Sequence, residues 1–122
     1  MLLAGDTSVT VWRDYIIPEN INTLKSTILF VSHHGSFSFF NENKDTDEDY
    51  IGRLAEIKPT ATIISVGATN PHGHPNESAL LYYENYSSGA DNGQKIFRTD
   101  QHGNMKLELR GQGAWWINWN QV

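Results

Sequence analysis

The 122 residues contain no cysteine. That excludes disulfides, thiolate zinc sites and a cysteine nucleophile, and it leaves the redox compartment open. No apolar run approaches the ~20 residues that a membrane-spanning helix needs. The N-terminus also lacks the basic stretch and apolar core of a signal peptide. The sequence is therefore expected to carry neither a membrane segment nor a leader. The compartment is unknown from sequence, with the cytoplasm as the default.

Basic residues are scarce as well. Nine Lys and Arg stand against fourteen Asp and Glu, a net charge of −5. A non-specific nucleic-acid coat is normally basic. The acid is concentrated, however. Glu42 to Asp49 holds five acidic residues and one lysine, which reads as a solvated loop. Bound divalent cations would also offset carboxylates locally. Net charge thus counts only mildly against a phosphodiester substrate.

What is present is a folded chain. Hydrophobic residues make up 39% and charged residues 19%, a balance that excludes disorder. The length fits one domain over residues 1–122. Strands are expected at Met1-Leu2-Leu3-Ala4, at Thr27 to Ser32 and at Thr60 to Val66. Further strands are expected at Lys95 to Thr99, Met105 to Arg110 and Ala114 to Trp119. Thr7 or Ser8 could cap a helix through Val11, Trp12, Tyr15 and Ile16, which Pro18 helps end. A second helix fits Asp47 to Ile57 and a third starts at Asn76-Glu77-Ser78. Phe37 to Phe40 reads as a short helix or turn over the rim of a site. The order β-α-β-α-β-α-β-β-β predicts a layered α/β chain with a terminal hairpin.

Three of these strands run into polar residues: Asp6, the pair His33 and His34, and the loop carrying His72 and His74. Asp100 and His102 lie in a fourth turn. Strand ends of layered sheets converge on one edge, and imidazole is the commonest metal ligand. Aspartate with histidine suits zinc, manganese or iron. Adjacent residues of an extended segment point to opposite sides, so His33 and His34 are not expected to bind one metal together. Plainer roles stand beside these. Asp6 could cap a helix, His72 reads as an ordinary loop residue, and His102 reads as solvent-exposed. Asp100 could simply end a strand. Trp115, Trp116 and Trp119 could stack on bases, but burial or a partner surface suits their apolar area better.

The segments Leu-Leu-Ala-Gly-Asp at 2–6, Val-Ser-His-His-Gly-Ser at 31–36, Ile-Ser-Val-Gly-Ala-Thr-Asn-Pro-His-Gly-His-Pro-Asn-Glu at 64–77 and Ile-Phe-Arg-Thr-Asp at 96–100 occur in this order. Together they resemble the C-terminal half of the metallo-β-lactamase fold, most closely the nuclease-type domain of ComEC-like competence proteins. The resemblance implies half of an αββα sandwich, a mixed sheet with helices on one face. It implies a metal-dependent hydrolase of phosphodiester or nucleic-acid substrates using zinc or manganese. By position it makes Asp6 and His33 or His34 metal ligands. It places His74 at the active-site edge and Asp100 as support for a site loop. The family's His-x-His-x-Asp-His motif has no counterpart in this chain, which supplies two or three ligands at most. The resemblance therefore implies a missing N-terminal half, a second chain or self-association. A non-catalytic binding or assembly module that keeps the half-fold is the alternative.

Overall fold

A computed structural model describes residues 1–43 and 48–119. The chain is α/β, with helices alternating with strands. β1 (Leu2–Leu3), β2 (Ile28–Phe30), β3 (Ala61–Ile64) and β4 (Ile96–Arg98) form one parallel sheet in the order β1-β2-β3-β4. β5 (Met105–Leu109) and β6 (Trp115–Trp119) form a separate antiparallel ribbon. The single mixed sheet expected from sequence is thus divided in two. The four parallel strands are joined by helical crossovers, and only the terminal hairpin connection brings neighbours antiparallel.

The register explains the layers. Leu29 pairs with Thr62 and Phe30 with Ile63, while Ile63 lies opposite Phe97. Alternation then puts Leu2, Leu29, Ile64 and Ile96 on one face, and Leu3, Phe30, Ile63 and Phe97 on the other. The first face packs against Trp12, Leu54, Ile57, Ala79 and Tyr83 from the helical layer. The second packs against Met105, Leu107, Trp115, Ile117 and Trp119 of the ribbon. Helices therefore cover one face, as expected, and the hairpin lies across the other.

Several elements differ from their sequence reading. The first helix comprises α1 (Val9–Val11), a π-helical segment Trp12–Ile16 and α2 (Ile17–Glu19). It buries Val9 and Trp12, whereas Val11 and Tyr15 are exposed. Pro18 sits inside it. A proline clashes with the carbonyl four residues back in an α-helix, and the wider π turn before it gives that carbonyl room. Ser8 occupies the N-cap position, but its side chain makes no capping bond. The Thr7 hydroxyl instead donates to the Ala4 carbonyl at 2.6 Å and accepts from the Trp12 indole at 2.6 Å.

The described part of the second helix is α3 (Gly52–Ile57). The beginning expected for it at Asp47, like the centre of the acidic loop at residues 44–47, lies outside the described residues. The Phe37–Phe39 turn is core and not rim: Phe39 and Phe40 are fully buried, and Phe39 meets Trp12 edge to face. Three large apolar rings in four residues are worth more inside than at an edge. Arg53 of α3 stacks its guanidinium 4.0 Å over the Phe39 ring. α4 (Glu77–Tyr86) begins at Asn76, as the sequence indicates. A one-turn helix, α5 (Thr99–His102), occupies the expected turn before β5. Its His102 is half-buried and not solvent-exposed: Nδ1 lies 2.9 Å from the Arg98 carbonyl, and the ring packs on Trp119. The imidazole thereby blunts the open edge of β4.

Candidate functional site

The carboxyl ends of β1, β2 and β3 are tied together by backbone bonds. The His33 amide donates to the Gly5 carbonyl at 2.8 Å and Val31 donates to Ile63 at 3.0 Å. The buried Ser32 hydroxyl donates to the Thr7 carbonyl. This knits the Gly5-Asp6 turn to the residues that follow β2. Asp6 itself is exposed at that edge.

His33 and His34 both adopt left-handed backbone, at φ 48° and 55°. Each such non-glycine residue costs on the order of 1 kcal/mol. The pair is therefore not extended, and the expected alternation of its side chains does not apply. Both imidazoles are exposed, with ring centroids 6.4 Å apart. His34 Nδ1 lies 2.7 Å from the Ser65 carbonyl, which fixes that ring across the end of β3. The His33 ring lies 5.7 Å from the His74 ring. His72, read from sequence as a plain loop residue, stacks near His74 at 5.8 Å. Four histidines from two sequence segments thus share one edge.

Gly35 makes this meeting possible. Its φ is +81°, and a Cβ there would lie 2.7 Å from Pro75 Cβ. The Gly35 carbonyl also accepts the Asn76 amide at 3.0 Å. The two histidine segments therefore touch backbone to backbone, and only glycine fits.

The loop from Gly67 to Pro75 is held by Asn70. Its side-chain nitrogen donates to the carbonyls of Gly67 (3.0 Å) and His74 (2.7 Å), and its oxygen accepts the His74 amide at 2.9 Å. Sequence reading missed this residue. The signal was an asparagine within a Gly- and Pro-rich loop, where its side chain imitates backbone. Thr99 is the second omission. Its hydroxyl donates to the Val66 carbonyl at 2.8 Å and accepts the Val66 amide at 2.7 Å, continuing the β3–β4 pairing past the strand ends. Asp100 beside it forms a two-pronged ion pair with Arg98, at 3.0 and 2.6 Å. Both its oxygens are engaged there.

A cleft of about 190 Å³ opens between these segments, lined by His34, Val66, Gly67, Asn70, His72 and His74. Partial burial holds the His74 pKa below the ordinary imidazole value, and the neighbouring His33, His72 and His34 lower it further. His74 is accordingly a neutral hydrogen-bonding group near neutral pH. The donor set suits zinc or manganese in kind but not in number. Among the described residues, no three histidine, aspartate or glutamate side chains stand close enough together to hold an ion. A catalytic zinc needs three protein ligands and an open position. The described residues do not by themselves assemble such a site.

No protein-family model, no curated protein and no solved structure matches the chain.

Proposed function

We propose that this chain forms one part of a metal-dependent hydrolase of the metallo-β-lactamase type, acting on phosphodiester or nucleic-acid substrates. The observation that carries the reading is the meeting of His33, His34 and His74 beside Gly5-Asp6, at the carboxyl ends of parallel strands. Ligands of layered sheets bind at that edge. Asp6 and one of His33 and His34 are the ligand-type residues. His74, largely neutral, would hydrogen-bond a substrate oxygen. Asp100 acts through the ion pair that fixes the start of α5. Zinc or manganese in such enzymes supplies an activated water. With an incomplete ligand set, this chain carries no such step unaided. The reading therefore requires a partner bearing the missing ligands, on a longer polypeptide or on a second chain.

One observation favours the other reading, a binding or assembly module without metal. It is the lack of any assembled group of three ligand-type side chains among the described residues. Titration with zinc chloride, followed through the imidazole ¹⁵N signals, separates the two. The hydrolase reading expects the rings of His33 or His34 to shift in the micromolar to millimolar range, and His33→Gln or His34→Gln to abolish the effect. It also expects no cleavage of bis(p-nitrophenyl) phosphate until a His-x-His-x-Asp-His partner is added. Imidazole signals unmoved at millimolar zinc would leave only the assembly module.

A further inference from the structure

A second cavity, of about 590 Å³, lies between β6 and the start of the parallel sheet. It is remote from the histidine edge. Its lining includes Thr60, just before β3, and the Asp91-Asn92 turn ahead of β4, whereas the histidines follow the strands. The walls are aromatic: Phe97, Trp115 and Trp119 line it. Phe97 and Trp119 meet at 6.1 Å with their planes 55° apart, so the two rings form a corner. Trp115 makes no ring contact with another aromatic among the described residues. One side of this apolar box is acidic. Asp91 is exposed and has no ion-pair partner among the described residues. A cation already uses the neighbouring indole, since the Arg110 guanidinium sits 4.4 Å over Trp116.

Indole faces carry negative potential and attract cations whose hydration is weak. An unpaired carboxylate beside them adds a Coulomb term that a neutral ligand cannot use. A phosphate-bearing nucleotide would meet Asp91 with like charge, which disfavours base stacking as the purpose of these tryptophans. We propose that this cavity binds a small organic cation with a quaternary or methylated ammonium head. The head would sit among Trp115, Trp119 and Phe97, with Asp91 as its counter-charge. The proposal is independent of the histidine edge.

Tryptophan fluorescence of the full chain, titrated with choline and with its uncharged isostere 3,3-dimethylbutan-1-ol, tests it. Choline should produce a saturable change and the neutral alcohol should bind at least about threefold more weakly. Asp91→Asn, an exposed turn position that leaves the core intact, should weaken choline severalfold. Trp115→Ala should abolish the response; if it unfolds the hairpin, Asp91→Asn still decides the matter. Equal binding of choline and the alcohol would mean a plain apolar pocket and overturn the proposal. So would a choline affinity unchanged by Asp91→Asn, or no response to choline at all.

Discussion

At the scale of single residues, two side-chain environments define the histidine edge. Gly35 is irreplaceable on two counts, its positive φ and its contact with Pro75. Gly35→Ala is expected to destabilise the fold by about 2 kcal/mol, through backbone strain and a forced separation of the two loops. Denaturant unfolding measures this, and a loss under about 0.5 kcal/mol, the range of ordinary surface substitutions, would show that the loops yield freely. His74 offers a titration. Its pKa is lowered first by burial and then by its histidine neighbours. Removing a neighbouring positive charge must therefore raise it. NMR titration should place His74 below the usual imidazole value, and His33→Gln should move it upward. The linkage has a definite sign. The folded state resists protonation of His74 more than the unfolded chain does. The corresponding stability is present above about pH 6.5 and is lost as the pH falls below it. Histidine was legible here as a residue type. Its neighbours across the loop were not, because they come from segments some forty residues apart in sequence, His33 and His34 against His72 and His74.

At the scale of elements, period and capping chemistry carried most of the reading. Asn76 starts α4 as expected, its side-chain oxygen accepting the amides of Ser78 and Ala79 at 3.0 and 3.2 Å. Asn76→Ala should cost about 1 kcal/mol. The change should also raise amide exchange in the first turn of α4, and unaltered exchange there would show that the cap contributes nothing. The strand alternation of Met105 to Leu109 was equally plain, because a ribbon with one wet face must alternate. The π-helical segment was not legible. Its cause is a single proline acting on a carbonyl four residues upstream, a conflict that has several backbone solutions. The Phe37 to Phe40 cluster misled for a related reason. Aromatic residues next to a polar turn suit a rim or a core equally well until the helices that cover them are known.

At the scale of the whole molecule, the hairpin covers only part of the second sheet face. A groove of about 610 Å³ remains beside it, lined by Leu3, Phe30, Met105 and Leu107 among others. Met1 and Leu3 within it are 55% and 64% exposed. Contiguous apolar surface of this kind is where interfaces form. Light scattering at tens of micromolar is expected to show self-association that Leu3→Lys reduces. A monodisperse wild-type monomer would count against self-association and leave a different chain as the partner. No helix among the described residues is long and apolar enough to cross a membrane.

The sequence by itself determined the α/β order, the helix start at Asn76, the hairpin and the residue types at the strand ends. These follow from periodicity and capping, which act over a few neighbours. Tertiary structure alone decided that the parallel strands and the ribbon separate into two sheets. It alone brought His33, His34, His72 and His74 to one edge, and it gave the work of shaping that edge to Gly35, Asn70 and Thr99. Those are long-range contacts, fixed by how layers pack and not by local preference.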